Sequence, residues 1–173
     1  MDDTSSGTVP EQPPPAWWIG YWQQVRFAEV SLSRFRQWFR VDEMPSDEVI
    51  RVHVRRGDFT RLGRNSPIDW YERAIDRARS ATGVELVEFV SDDRSWCENK
   101  LVPRLSDAVV APPGDATSDL VRLARARSLV CSDSTFSWWA AYLGDPVVVI
   151  SETAPNLRDL VAELDDRRWL LVS

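Results

Sequence analysis

Apolar and polar residues alternate through VIRVHV, Val49 to Val54, with the period of two that marks a β-strand. The stretch then runs on into RRGDF, so two adjacent arginines, a glycine and an aspartate stand at the tip of an element whose pattern puts it inside the protein. Beyond it the pattern changes period. SPIDWYERAIDRARSATG reads as a helix, with Ser66 as cap, Pro67 in the first turn, Asp69 completing a box-like start and Gly83 as the stop. ELVEFV is the next strand, ending in Ser91, Asp92 and Asp93; RSWCENKLV is a short helix stopped before Pro103, and AVVA another strand. SDLVRLARARS aligns Leu120, Leu123 and Ala124 on one helical face and leads into the strand SLVCS. A helix from Thr135 to Leu143 closed by Gly144, the apolar strand VVVI, a helix NLRDLVAEL capped by Asn156 and a final strand WLLV complete the series. Strands alternating with helices predict an α/β fold: a single Rossmann-like parallel sheet with helices on both faces.

The expected organisation has three parts. Residues 1–16, with their acids, Ser, Thr and a proline run, read as a disordered tail. Residues 17–48 are an aromatic lead-in in which Phe27, Val30, Leu32, Phe35 and Phe39 follow roughly helical spacing; this reads as a helix docked on the core, or as a surface for a partner subunit. Residues 49–173 form the nucleotide-binding Rossmann-like domain.

Charge narrows the chemistry. With 27 Asp and Glu against 21 Lys and Arg the net charge is −6, so broad attraction to nucleic acid is not expected and any basic site must be local. Lys100 is the single lysine, so the positive charge is almost wholly arginine, the side chain whose fork suits phosphate or carboxylate. Cys97 and Cys131 lack metal-ligand spacing and read as reduced thiols; with one histidine in the chain, no metal site is expected. The opening MDDTSSG has no apolar leader region and no later run approaches a membrane span, which makes a cytoplasmic location the expectation, with peripheral membrane association left open.

In an open parallel sheet, ligands bind beyond the carboxyl ends of the strands. HVRRGD, SDD and SDSTFSWW each follow a predicted strand, so three segments bring arginines, carboxylates and hydroxyls to one edge. Successive side chains of a strand point to opposite faces, so Arg55 and Arg56 are not expected to reach the same ligand: one can bind an anion while the other pairs with a structural carboxylate, or both can pair with Asp58 and Asp92 or Asp93. Ser134 and Thr135 start a helix, where exposed backbone N–H groups either receive an anion or are simply capped. Asp119 begins the preceding helix as a cap or a base-recognising acceptor. His53 reads as a hydrogen-bonded interior histidine, and Trp138 and Trp139 as packing residues.

Taken together, HVRRGDF, FVSDDRSWC and SDLVRLARARSLVCSDSTFSWWAAYLG resemble the α-1,2-fucosyltransferases of glycosyltransferase family 11, and GYWQ at Gly20 to Gln23 resembles the segment entering this domain; the resemblance runs from about Ile19 to the C-terminus. It implies the GDP-fucose-binding half of a GT-B enzyme. The implied reaction inverts the anomeric centre, moving L-fucose from GDP-fucose to the 2-hydroxyl of a galactoside or other glycan acceptor, with no metal and no further cofactor. On that resemblance Arg55 and Arg56 would serve the diphosphate, with Arg56 preferred for the direct contact and Asp58 the candidate base. His53, Asp92 and Asp119 would shape the nucleotide pocket, and Ser134, Thr135 and Ser137 would support phosphate or ribose. Two departures accompany it: Asp133 stands where the family pattern has asparagine, and family members are longer, with a glycine-rich N-terminal half not found here. A non-catalytic or remnant nucleotide-sugar-binding module that needs a partner chain is therefore the alternative, and an interaction protein with purely structural arginines a third reading.

Overall fold

The computed structural model describes residues 32–43, 45–152, 154 and 168–173. The tail, the lead-in up to residue 31 and the helix expected at NLRDLVAEL lie outside them. Six strands, β1 (Asp47–Val54), β2 (Val87–Ser91), β3 (Ala108–Val110), β4 (Ala126–Val130), β5 (Val147–Ser151) and β6 (Trp169–Val172), form one parallel sheet in the order β3-β2-β1-β4-β5-β6. The α/β expectation holds. This order turns at the β1/β4 boundary, where a doubly wound sheet opens a crevice at its carboxyl edge.

The alternation along β1 decides which layer each side chain joins. Ile50, Val52 and Val54 enter one core with Trp70, Tyr71, Ala74, Ile75 and Ala78 of α3 (Ile68–Thr82) and Cys97 of α4 (Arg94–Lys100). On the opposite face Leu129, Val148 and Ile150 pack with Leu123 of α5 (Ala116–Ala124) and with Trp138, Ala140 and Ala141 of α6 (Thr135–Leu143). Helices thus cover both faces, as a parallel sheet requires for burial. A short helix α1 (Leu32–Trp38) adds Leu32 and Phe35, with Phe39 beyond its end, to a small cluster around Val41, Ala124 and Leu143; the Phe35 ring meets Trp139 edge-on at 5.5 Å. No helix among the described residues is long and apolar enough to cross a membrane.

Two predicted caps are corrected. Pro67, not Ser66, occupies the N-cap of α3 and offers no side-chain bond; Ser66 hydrogen-bonds Tyr71, and Asp69 accepts from Arg73 at 2.8 Å. Asp115 rather than Asp119 caps α5, accepting from Ser118 N at 2.7 Å, which sets Asp119 one turn inside the helix. A short 3-10 turn, Val102–Arg104, carries Pro103 past the end of α4.

Polar residues on the second face of β1 are absorbed by partners the sequence reading did not foresee. Arg51, 7% exposed, donates Nε to Glu88 Oε2 and Nη2 to Asp47 Oδ2, each at 2.7 Å, and Nη1 to Arg122 O at 2.5 Å. Arg122 and Arg125 close this network on Glu88 and Asp47. A buried ion pair is sustained only by such completeness, since loss of one partner costs about 3–5 kcal/mol.

The end of α6 is set by Gly144, where a Cβ would lie 1.9 Å from Ala124 O at the end of α5. Gly144→Ala is expected to destabilise the fold by at least ~2 kcal/mol through forced separation of these helices, read as a lowered urea midpoint with unchanged slope.

Candidate functional site

A cavity of about 810 Å³ opens at the carboxyl ends of β1, β2 and β4. That is within the roughly 300–1,000 Å³ of small-molecule pockets. Its wall includes His53, Arg55, Asp58, Ser91, Asp92, Asp119, Ser134 and Thr135, together with Phe59, Leu62, Arg64, Gly114, Asp133 and Phe136. Seven of the nine sequence-selected residues are therefore gathered at one hollow, and two, Arg56 and Ser137, are not among its lining residues.

The arginine pair divides as strand alternation requires. Arg55 continues the face carrying Arg51 and His53 and reaches the cavity; its side chain is 39% exposed. Nε and Nη2 bond Asp58 Oδ1, each at 2.9 Å, and Nη1 meets Asp92 Oδ2 at 2.9 Å. A guanidinium has five N–H donors, so donors remain for a ligand. Arg56 continues the other face. Its Nε donates to Asp93 Oδ2 at 3.0 Å, its guanidinium stacks 4.0 Å from the Trp96 ring centroid, and its side chain is 17% exposed. Arg56, preferred from the sequence for the direct contact, is held on α4 by its carboxylate and aromatic partners, whereas Arg55 faces the hollow.

Asp92 ties these corners together. Its Oδ1 accepts from Arg56 N at 2.8 Å and its Oδ2 from Gly57 N at 3.1 Å, anchoring the tip of β2 on the start of α2 (Gly57–Arg61). A Cβ on Gly57 would lie 2.9 Å from Asp92 Oδ2, so the small residue in RRGD permits this approach.

At the β1/β4 boundary, Ser132 Oγ and His53 Nδ1 are 2.8 Å apart, and the imidazole lies against the Phe136 ring at 5.4 Å. Burial dominates its titration and pushes the His53 pKa down to about 4; Asp92 raises it and Arg55 lowers it. The ring is neutral at pH 7. Ser134 Oγ accepts from Phe136 N at 3.3 Å as the N-cap of α6, so this residue is both a cap and cavity wall. Ser137 is fully buried, its hydroxyl bonding Ser132 O and Ser134 O at 3.0 Å each, and it shapes the loop from behind. Asp119 is raised above its ordinary carboxyl value, first by burial and then by Asp115 and Glu88, with Arg122 opposing. Burial pushes the Cys97 thiol up to about 11 and Cys131 up to about 12; both are free and buried, which makes them packing groups.

Arg64 was missed. It lies in the connection after α2 and forms an ion pair with Asp133, Nη2 to Oδ2 at 2.5 Å. The signal was present, because the loop following a central strand reaches the carboxyl edge, but no local pattern marks which loop arginine turns inward.

The model of glycosyl transferase family 11 matches residues 26–167. The chain belongs to that family. Among relatives, galactoside 2-alpha-L-fucosyltransferase Sec1 of Mus musculus is 30% identical over 133 residues, covering 70% of this chain and 36% of that protein. The O-antigen biosynthesis glycosyltransferase WbnK of Escherichia coli is 30% identical over 109 residues, covering 57% and 36%. The chain therefore spans little more than a third of the length of these relatives. Among solved structures, POFUT1 in complex with GDP superposes with a TM-score of 0.50 at 15% identity over 72% of this chain and 49% of that one, a likeness of fold.

His53 gives this family 11 chain a pH signature. A histidine whose folded pKa is about 4 against an unfolded value near 6.5 leaves the unfolded state holding more protons between those values, so stability falls as pH drops through that window. The expected loss from pH 7 to pH 4 is on the order of 3 kcal/mol by urea unfolding, and His53→Gln should flatten that part of the profile.

Proposed function

We infer that this chain is the donor-binding portion of a fucosyltransferase that moves L-fucose from GDP-fucose to the 2-hydroxyl of a galactoside acceptor, with inversion and without a metal. The observation that carries the reading is that the Arg55 guanidinium and the N-terminus of α6 line one cavity at the β1/β4 boundary. Exposed amides at a helix start and a guanidinium fork suit a diphosphate, and held in place before reaction they stabilise the charge that develops as it leaves. Names of family relatives, galactoside fucosyltransferases among them, support the sugar and the acceptor class.

In this reading the acceptor oxygen attacks the anomeric carbon from the side opposite the diphosphate, the carbon–oxygen bond to phosphate breaks, and the electron pair leaves with GDP. Arg55 and the α6 amides receive that charge. The acceptor proton passes to a base, for which Asp58 is the candidate because it stands on the same cavity wall. His53, neutral and fixed by Ser132, is a shaping and hydrogen-bonding group rather than a cation. Metal independence belongs to this proposal, since guanidinium groups take the role a divalent ion would have.

Coverage supports a second reading, in which this chain contributes donor binding and transfer requires the remainder of such a protein, within the same polypeptide or on another. The 36% of the mouse relative that it spans is the basis.

Titration calorimetry with GDP and GDP-fucose tests both. Wild type is expected to bind both nucleotides, and Arg55→Ala to lose about 1.5–3 kcal/mol of binding free energy. Arg56→Ala is expected to lower thermal stability, through its lost Trp96 stacking and Asp93 pair, more than it lowers GDP affinity. Absence of GDP binding by folded wild type would overturn the reading; binding of GDP-fucose without hydrolysis or transfer to galactosides would select the second form.

A further inference from the structure

Arg64 occupies a position that an anion site can use. Gly63 takes a φ of 65° and Arg64 N donates to Phe59 O at 2.9 Å, which turns the loop back over the cavity mouth. The guanidinium then rests 4.8 Å from the Phe59 ring centroid and meets Asp133, in the loop between β4 and α6. The two partners are unequal. Asp133 has a side chain 13% exposed, whereas that of Arg64 is 35% exposed and its Nε and Nη1 have no hydrogen-bond partner among the described residues. The pair lines the 810 Å³ cavity and also an adjoining one of about 400 Å³.

We propose that Arg64 is a second phosphate-binding guanidinium of this cavity and that Asp133 is its resident counter-ion, which competes with the ligand's phosphate for the same positive charge. The proposal rests on the donor-binding reading and extends it to two residues outside the set selected from the sequence. The carboxylate keeps the Arg64 side chain over the cavity when no ligand is bound, and the same negative charge reduces the field that an arriving phosphate feels. Arg55 is arranged in the same way between Asp58 and Asp92. Of its two carboxylates, Asp92 also receives the Arg56 and Gly57 amides and so anchors the corner of the fold, and Asp58 is the candidate base of the proposed reaction. Asp133 stands in the loop between β4 and α6, outside both of those roles, and Asp133→Asn removes its charge with an isosteric side chain.

Calorimetry with GDP and with guanosine as probes distinguishes the possibilities. Asp133→Asn is expected to tighten GDP binding several-fold, roughly what removal of one like charge near a surface provides. Arg64→Gln is expected to weaken GDP about tenfold or more, with Arg64→Lys falling between, because one charge-assisted contact is lost. Guanosine, which has no phosphate, should be indifferent to all three substitutions, and the Asp133→Asn gain should vanish in the Arg64→Gln background. GDP affinity unchanged in Arg64→Gln, an Asp133→Asn variant that binds GDP more weakly, or guanosine weakened in parallel with GDP would overturn the proposal while Arg55→Ala still reports on the donor reading. If neither wild type nor Asp133→Asn binds GDP, both fall together.

Discussion

β1 is buried on both faces at the middle of the sheet, so each of its side chains must satisfy one of two layers, and the step of two between them organises everything around it. Ile50, Val52 and Val54 supply apolar surface to the α3 and α4 layer. Arg51, His53 and Arg55 form a polar stripe on the α5 and α6 side. Without the first set the strand has no reason to be central; without the second there is no site at its end. Parallel pairing with β2 and β4 holds the register, matching Val54 with Ser91 and Val52 with Val130, so that the three loops arrive together.

Along the stripe two buried residues precede a half-exposed one, and the electrostatic solution differs at each. Arg51, buried at the start of the stripe, is fully committed to Asp47, Glu88 and a carbonyl. His53, next, has the neutral form imposed by burial and is fixed by Ser132. Arg55, at the exit, keeps its charge in partial contact with water while bound to two carboxylates. A buried guanidinium cannot exchange partners cheaply because any interval without one exposes an uncompensated charge to a low dielectric. One at the rim can, since water covers the interval, and that difference separates a guanidinium locked into the fold from one able to exchange partners.

The excess of carboxylates around the cavity fits the same logic. Asp58, Asp92 and Asp133 each hold a guanidinium, and Asp92 additionally receives two backbone amides at the start of α2. An acidic chain with local arginines thereby presents oriented donors without an isolated cationic patch. Affinity for an anion in such a site is a difference between two sets of paired charges, and its specificity comes from where the N–H groups point.

Periodicity in VIRVHV, the strand–helix alternation after it and the strand-end positions of HVRRGD, SDD and SDST determined the sheet, its two covered faces and the edge at which the site forms, because burial on a period of two or 3.6 is a local property of the chain. The opposite destinations of Arg55 and Arg56 were legible from the same rule. Only tertiary structure decided which arginine faces the hollow, since that depends on Trp96 and Asp93 waiting on one side and on an open crevice on the other. It also decided that Arg51 is absorbed by Glu88 and that Arg64 reaches Asp133, contacts spanning 37 and 69 residues of sequence. Ion pairs carry no periodic signature: a guanidinium on a long stem accepts any carboxylate within reach, and what is within reach is settled by how distant segments pack.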